Sequence, residues 1–427
     1  MRRRQAVLAA ITALTSASGI TAVGVGSASA GVSANSVQQS ARPSTNFLPP
    51  SRKGPAPASI KIDMSGGYQV SYLPTEVAMG AGYFKQVEKR FHTSITFDPY
   101  ISGSTAEPAF ISGADQFTVI GLSSSLPSEV AGRDQVSIFG QGINLAAVMV
   151  GALKDKANGT DIAKFGPPAT WCEIGTAGGS NTAARLEAAK NGFNLSQLKL
   201  TNIGSTSATL STLQSGQCDI TSAAQTDAAN GLINGSLYIA ANLAAPQVSV
   251  PLAGEVASTP LQTSMAFAHK YPQLTQAMVD AELEGLRFVQ THLNNTGAIY
   301  RALPAAMKAV LPVGAFVEAM TLVGPGLKST VCSGEFSADQ VNDSLTLFKA
   351  LGTVPSTGMD PTLVFNNKYV VQAYKDLGVP APTGATAGVV IRHTIGKPSS
   401  ESASAYALLT GQPAPANSGP SPLSKIK

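Results

Sequence analysis

Residues 204–227 read GSTSATLSTLQSGQCDITSAAQTD, and residues 103–125 read GSTAEPAFISGADQFTVIGLSSS. Both stretches begin with Gly-Ser-Thr, residue types that cap helix N-termini, and continue into a short segment that is apolar on one side. Each segment stops at Ser-Gly, which is typical of the position just past a helix end. A short apolar run follows and ends in hydroxyl or amide residues, so the chain carries two similar units.

Each unit is preceded by a predicted strand, at residues 94–99 and 198–203. A strand, a capped helix and a strand form a βαβ unit, whose crossover is right-handed and whose strands are parallel. In open parallel sheets, ligands collect beyond the carboxyl ends of the strands and at helix N-termini. The two units therefore predict two lobes that would clamp a small molecule if their polar rims face each other. The alternative is two unrelated βαβ units with ordinary caps.

Other elements follow from apolar patterning and turn residues. Further strands are predicted at residues 59–63, 136–141, 146–151, 171–176, 237–243 and 264–270. Helices are predicted at residues 75–84, 183–190, 271–290, 297–303, 313–322 and 338–351. The strand at 146–151 is fully apolar, which indicates a central position in its sheet.

Length and composition agree with two globular lobes. The chain has 427 residues, more than one compact core usually covers, and is 44% hydrophobic and 13% charged. The formal net charge is +4, and loss of the three arginines at positions 2–4 would leave +1. This balance does not indicate nucleic-acid binding.

The first 30 residues have the pattern of an export signal. Arg2–Arg4 supply the positive start, residues 6–25 are small and apolar, and Ala28-Ser29-Ala30 fits a cleavage site. We therefore expect a secreted, cell-surface or periplasmic protein. A retained membrane anchor is the alternative, which the Ser, Thr and Gly content of the apolar stretch disfavours.

The rest of the chain divides by composition. Residues 31–58 are rich in Ser, Pro, Ala and Gln and predict a disordered linker, and residues 380–427 predict a flexible tail. Between them we assign residues 59–145 to the first part of lobe 1, residues 146–257 to lobe 2, and residues 258–379 to a mainly helical return that wraps lobe 1.

Two glycine-containing loops are candidate ligand contacts. Gly66-Gly67-Tyr68-Gln69 could place Tyr68 over a ligand, or could be a glycine turn with an exposed tyrosine. In residues 177–182, AGGSNT, two glycines allow backbone N–H groups to point at one spot, and Ser180 or Asn181 can cap the following helix. This second loop could hold an oxyanion, or could be a purely structural turn.

The chain has three cysteines, and an exported protein can oxidise a pair of them. Cys172 and Cys218 each begin a predicted strand of lobe 2, and neighbouring parallel strands lie about 4.8 Å apart, within disulfide reach. We therefore hypothesise a Cys172–Cys218 disulfide with Cys332 free. Three small buried residues are the alternative.

No catalytic or metal-binding motif is evident. The sequence has no Gly-x-Ser-x-Gly elbow, no His-Glu-x-x-His and no phosphate loop. The histidines lack metal-ligand spacing; they are His92, His269, His292 and His393. We therefore predict no catalytic residues, no metal, no cofactor and no enzymatic activity.

Five further segments carry a likeness to a known family. They are residues 81–84 (AGYF), 103–121 with its GS and ISGADQFTVIG motifs, 174–181 (IGTAGGSN), 213–220 (LQSGQCDI) and 265–274 (MAFAHKYPQL). In order and spacing they resemble the SsuA/THI5-like (NMT1-like) substrate-binding proteins of ABC importers. The resemblance spans most of residues 59–378.

The resemblance implies the α/β type II periplasmic-binding-protein fold, in which two lobes of mostly parallel sheet flanked by helices close on a solute. It implies that the partners are a small-molecule ligand and the permease of an ABC importer, and we expect a monomer that binds no nucleic acid. It places ligand contacts at Tyr68, Gln69, Ser104, Ser123, Ser124, Gly179, Ser180, Asn181, Gln225 and Asp227.

No Lys or Arg occurs in these loops, so an anionic ligand would depend on helix N-termini and hydroxyls, whereas Asp227 could hold an amine. We expect an exported protein that captures a small organic molecule of the sulfonate, nitrate, pyrimidine or amine class for an ABC importer. The alternatives are a THI5-like pyrimidine-precursor synthase and a transport-inactive surface protein of the same fold.

Overall fold

The structure, a computed structural model, describes residues 47–142, 148–152, 162–173, 179–205, 208–328, 332–354, 364–381 and 398–415. The predicted export signal at residues 1–30 lies outside these ranges, as do His393 and residues 174–178.

The strands of the described ranges are β1 (Ser59–Ser65), β2 (Ser94–Tyr100), β3 (Phe117–Val119), β4 (Val136–Gly140), β5 (Val148–Ala152), β6 (Thr170–Glu173), β7 (Lys199–Asn202), β8 (Ile220–Ala223), β9 (Leu237–Asn242) and β10 (Pro260–Thr263).

The α-helices of the same ranges are α1 (Leu73–Gly80), α2 (Tyr83–Phe91), α3 (Gly103–Ile111), α4 (Leu122–Val130), α5 (Gly179–Lys190), α6 (Thr209–Ser215), α7 (Gln225–Ile233), α8 (Pro246–Ala253), α9 (Met265–Lys270), α10 (Pro272–Thr291), α11 (Thr296–Ala302), α12 (Ala305–Val310), α13 (Val313–Leu327), α14 (Ala338–Ala350), α15 (Lys368–Asp376) and α16 (Ser400–Thr410). A 3-10 turn, Val70–Tyr72, precedes α1. None of the described helices combines the length and the apolar character that crossing a bilayer requires.

The described strands form two five-stranded sheets of the same topology, β2-β1-β3-β10-β4 in lobe 1 and β7-β6-β8-β5-β9 in lobe 2. In lobe 1, β1 runs parallel to β2 and β3, and β10 is antiparallel to both of its neighbours. In lobe 2, β6 runs parallel to β7 and β8, and β5 is antiparallel to both of its neighbours. The prediction of two similar, mostly parallel α/β lobes is confirmed.

The antiparallel strand of each sheet is the first strand after a crossover between the lobes. β5 follows the first crossover from lobe 1 to lobe 2, and β10 follows the crossover that returns the chain to lobe 1. Both crossovers therefore run between the sheets, at residues 141–147 and 254–259, of which residues 143–147 lie outside the described chain.

The two repeated stretches form the predicted β2–α3–β3 and β7–α6–β8 units, but the predicted Gly-Ser-Thr caps are wrong. Ser102, one residue earlier, caps α3 because it has the extended backbone that this position needs, and it forms a capping box with Thr105. In the second unit Gly204 turns the chain with φ 76°, and its N–H is accepted by Asn202 at 2.7 Å. After this turn, α6 begins later in the chain than predicted, with Ala208 as its N-cap.

Two other predicted elements differ from the structure. The helix predicted at 75–84 is two helices, because Gly82 has the left-handed φ of 84° between them. The strand predicted at 264–270 is α9, and the strand precedes it as β10. Ser264 caps α9 by accepting the Phe267 N–H at 3.0 Å. The N–H groups of the first two residues of the helix donate to the Asp134 carboxylate.

Ordered structure also extends into both stretches that were predicted to be disordered or flexible. Phe47 and Leu48, in the predicted linker, are buried in the lobe 1 core. Arg52 is buried and pairs with Asp280 at 3.3 Å and with Asp376. In the predicted tail, α16 packs on α8 and α14 with Ser402 and Ala405 buried. Small side chains that pack closely give no strong apolar periodicity, so composition alone concealed α16.

The helical segment that follows β10 contacts both lobes. α10 lies in the lobe 1 core beside α1, α2 and α15. In contrast, α13 packs against α7 of lobe 2, and its Leu322 carbonyl accepts the Asn242 side-chain N–H at 3.1 Å. α13 therefore lies between the lobes and bounds the space where they meet.

Candidate ligand site between the lobes

Helix N-termini from both lobes follow the carboxyl ends of parallel strands. Ser123 and Ser124, predicted to lie in a loop, are in the first turn of α4 after β3. Gln225 and Asp227, also predicted in a loop, are in the first turn of α7 after β8. Both helices start at once because the preceding residues already have an extended backbone. The sites therefore combine side-chain groups with the free N–H groups of a first helical turn.

The rim of lobe 1 is closely packed around Gly103. A Cβ at this position would lie 2.5 Å from the Ser124 Oγ and 3.4 Å from the Ser65 Oγ, so only glycine fits. Ser65 was not predicted as a rim residue, although its position at the end of β1 could have indicated it. Ser104 is exposed and its hydroxyl bonds to the Ser102 hydroxyl at 2.8 Å.

The loop after β1 reaches lobe 2. Gln69 is 5% exposed, its side-chain Nε2 donates to the Gly66 carbonyl at 3.0 Å, and its Oε1 has no partner. The next backbone N–H, from Val70, donates to the Thr226 hydroxyl of α7 at 3.2 Å. This hydrogen bond joins the chain neighbours of the predicted site residues Gln69 and Gln225, which belong to opposite lobes.

A cavity of about 30 Å³ lies at this meeting point. Its lining combines the lobe 1 turn, both crossovers, the start of α7 and the end of α13, and consists of Val70, Ser71, Gln141, Gly142, Gln225, Ser258, Thr259, Val323, Gly326 and Leu327. We call this region the interlobe site: residues 69–71 of lobe 1, residues 225–227 of lobe 2, and the crossover residues 141 and 258–259.

The crossover residues of the interlobe site were missed by the sequence analysis. Gln141 Nε2 donates to the Thr75 hydroxyl at 2.7 Å, and the Thr75 hydroxyl donates to Glu282 at 2.8 Å. Thr259 donates its hydroxyl to the Ser71 carbonyl at 3.3 Å. No local motif marks these positions, because their role comes from where the chain crosses between sheets.

The second approach between the lobes is made by α4 and α5, which contact each other. α4 carries Ser123, which is 4% exposed and whose Oγ has no partner, and α5 begins at Gly179. The side chains of Ser180 and Asn181 and the preceding turn lie outside the described residues. Contact of Gly179, Ser180 and Asn181 with a ligand stays a prediction.

Carboxyl groups set the electrostatics of the interlobe site. Burial raises the pKa of Asp227 to about 7. Burial also raises the pKa of Glu76 well above its ordinary value, although the Gln69 backbone N–H opposes the rise. Tyr68 is half-buried, and burial together with Glu76 raises the pKa of its phenol. None of the described residues that line the cavity carries a positive charge.

A larger cavity, about 590 Å³, lies at the opposite edge of lobe 1. Its lining comes from residues 110–134 and 264–271, all of lobe 1, and includes Gln116 just before β3. Because it lies at the amino end of that strand and involves no residue of lobe 2, it does not form a clamp between lobes.

The structure joins Cys172 of β6 in a disulfide to Cys218, which lies just before the neighbouring strand β8, with Cα atoms 5.7 Å apart. Cys332 is free and buried, and burial raises the pKa of its thiol to about 12. Within the described residues, no group of three or more His, Cys, Asp and Glu side chains is placed to hold a metal ion.

Neither a protein-family model nor a curated protein sequence matches the chain. Solved structures do match it. A protein from Bordetella bronchiseptica RB50 aligns with a TM-score of 0.63 and 19% identity, over 75% of this chain and 98% of that one. The periplasmic nitrate-binding protein NrtA from Synechocystis PCC 6803 aligns with a TM-score of 0.61 and 12% identity, over 77% and 91%.

A third match is the periplasmic sulfonate-binding protein SsuA of a sulfonate ABC transporter from Methylobacillus flagellatus KT, with a TM-score of 0.56 and 14% identity, over 75% of this chain and 95% of that one. The chain thus has the two-lobe fold of periplasmic binding proteins, as the sequence resemblance implied. The match covers nearly the whole of each of these structures.

Proposed function

We propose that the protein is an exported solute-binding protein that captures a small organic molecule between its lobes and delivers it to an ABC importer. The observation that carries this proposal is the interlobe site itself. There the start of α7 in lobe 2 meets the lobe 1 turn through the Val70–Thr226 hydrogen bond, beside both crossovers.

This arrangement suits a closing clamp. Two crossovers connect the sheets, so a change of a few backbone angles there would change the angle between lobes. The Val70–Thr226 hydrogen bond is worth about 1 kcal/mol, a small barrier to opening. A ligand that contacts both lobes would favour the closed form, which the permease would then recognise.

The solved structures of this fold support the proposed class. Two of them are named as periplasmic proteins that bind nitrate or sulfonate. The export pattern of residues 1–30 is consistent with the same location, and we propose that the protein works outside the cytoplasmic membrane as a monomer.

None of the three described histidines belongs to the interlobe site, so none offers that site an imidazole for acid–base chemistry of the kind a synthase could use. His92 directly precedes β2, and His269 lies in α9 after the antiparallel β10, so both are at the sheet edge opposite the interlobe site. His292 stacks on Phe288 at 4.2 Å between ring centroids and bonds to its carbonyl. We therefore propose binding without chemistry.

A ligand panel tests the proposal. Thermal unfolding would be followed with sulfonates, nitrate, pyrimidines, amines and neutral alcohols, and each hit would be titrated by calorimetry. A compound at a hundred times its dissociation constant should add about 2.7 kcal/mol to the free energy of unfolding. Mass spectrometry of the incubated hit should return the compound unchanged. Conversion of a hit would indicate an enzyme, and no hit in any class would overturn the proposal.

A further inference from the structure

We propose that the interlobe site takes the protonated amine of its ligand, and so a small organic cation rather than an oxyanion. This inference rests on the proposed function, because it assigns the chemical class of the solute. It is carried by buried side-chain acceptors of the interlobe site that have no hydrogen-bond partner among the described residues, two of which belong to glutamines that line one cavity.

The unpartnered acceptors come from both lobes and from a crossover. Gln69, Gln141 and Gln225 are 5%, 1% and 1% exposed, and the Oε1 of each is buried without a hydrogen-bond partner in the part of the chain that the structure describes. The Oδ2 of Asp227 is also buried without a hydrogen-bond partner among the described residues. Buried polar groups are normally paired, and an unpaired acceptor costs free energy that a suitable donor would restore.

Two of the amides are fixed with oxygen as the free atom. The Nε2 of Gln69 is committed to the Gly66 carbonyl at 3.0 Å. The Nε2 of Gln141 is committed to the Thr75 hydroxyl, whose own hydrogen is donated to Glu282. Turning either amide over would therefore break a bond, so these two sites offer an acceptor and not a donor.

Gln141 and Gln225 line one cavity of about 30 Å³. This is room for about one or two water molecules, and so for one ammonium group. An ammonium group has three N–H donors and no acceptor, which suits a small space lined by two glutamines whose amide oxygens lack a partner among the described residues. The polar part of a larger solute would enter here, and its remainder would lie outside the cavity.

A bound cation would favour the ionised form of the two buried carboxyl groups nearby, whose burial otherwise favours the neutral form. Asp227 lies in the first turn of α7, and Glu76 is buried near Tyr68 and the Gln69 backbone, with neither carboxylate oxygen in a hydrogen bond of normal geometry. No Lys or Arg is among the described residues that line the cavity. A sulfonate or nitrate would place its oxygens against these acceptors, and no Lys or Arg among the described lining residues would offset its charge.

Matched four-carbon probes distinguish the charge classes: butylamine, butanesulfonate and 1-butanol, each titrated by calorimetry against the full chain. Butylamine should bind at least tenfold more tightly than butanol, and butanesulfonate should bind more weakly than either. The result that overturns the inference, while leaving the proposed function standing, is tighter binding of butanesulfonate than of butylamine. Failure of all three and of every compound in the wider panel would overturn both proposals.

Variants at Gln225 connect the result to this site. Gln225→Leu removes the amide oxygen and should weaken butylamine binding at least fivefold without lowering the melting temperature of the free protein, because an unpaired acceptor is lost. Gln214→Leu, at an exposed position of α6, is the matched control and should leave binding unchanged. Gln225→Glu should strengthen butylamine binding. Unchanged butylamine affinity in both Gln225 variants would contradict the inference.

Discussion

The two lobes share one sheet topology but are stabilised by different means. Lobe 2 has a small core around Trp171 and a covalent link between β6 and β8 through Cys172 and Cys218. Lobe 1 has a larger core with the long helix α10 at its centre, and several carboxyl groups are buried in it without a positive partner, among them Asp63 and Glu282. Topology alone therefore does not determine how each lobe responds to its surroundings.

Two lobes of the same fold can therefore differ in the solution condition, oxidation or pH, that affects their stability. Lobe 2 depends on oxidation, because its covalent link exists only outside reducing compartments. Lobe 1 depends on protonation, because a buried carboxyl without a positive partner is favoured in its neutral form. The interlobe site lies between these two regions and draws residues from both.

The largest effect is expected from the disulfide. Replacing Cys172 and Cys218 together with alanine should lower the free energy of unfolding of lobe 2 by about 4 kcal/mol, because the link closes a loop with a sequence separation of 46. Fluorescence of Trp171, the one tryptophan of the chain, reports lobe 2 unfolding, and hydrogen exchange in β1 reports lobe 1. Cys332→Ala is the control, and equal losses in both lobes would contradict the difference between them.

A smaller effect, about 3 kcal/mol, is expected from Glu282 alone when the pH is raised from 5 to 8. Burial raises the pKa of Glu282 to about 8, so the folded protein keeps a proton that the unfolded chain releases above its ordinary pKa near 4.5. The stabilisation is complete below that lower value and is lost as the pH rises through about 8.

Glu282→Gln tests this dependence, because it keeps a neutral hydrogen-bonding group near Thr75. Chemical denaturation across the pH range should show a flatter stability profile for the variant. Glu318→Gln, at a half-exposed position of α13, should keep the original slope. An unchanged slope in Glu282→Gln would show that other groups cause the dependence.

The smallest effect concerns the contact between the lobes. Thr226→Val removes the acceptor of the Val70 N–H while keeping the shape of the side chain. The loss of about 1 kcal/mol should weaken binding of a panel hit about fivefold, as measured by calorimetry. Thr201→Val, on the edge strand β7, is the control and should leave the affinity unchanged. Equal affinities in the two variants would show that the Val70–Thr226 hydrogen bond does not contribute to binding.

The repeated units could be predicted because strands, helices and glycine turns leave local signals. The β2–α3–β3 and β7–α6–β8 units were found in this way, and Gly216 ends α6 with the expected left-handed backbone. α9 was mistaken for a strand because a short apolar run fits either structure, and the deciding contact from Asp134 is remote in sequence.

The site was only partly predictable for a related reason. Gln69, Gln225 and Asp227 follow strand ends, so their sequence positions pointed to the rim, and their contact with a ligand stays a prediction. Gln141 and Thr259 could not be predicted, because they matter only through the crossing of two chain segments distant in sequence. Ser104 was predicted from its cap motif, but its hydroxyl is paired locally with Ser102.

The central claim is that the lobes close on a bound solute. Spin labels at Lys89→Cys on α2 and Gln214→Cys on α6, both exposed positions, would report the distance between lobes by double electron–electron resonance spectroscopy. Saturation with the panel compound that raises the melting temperature most should shift the distance distribution and narrow it to one population. A distribution that stays the same with and without saturating compound would contradict a clamp.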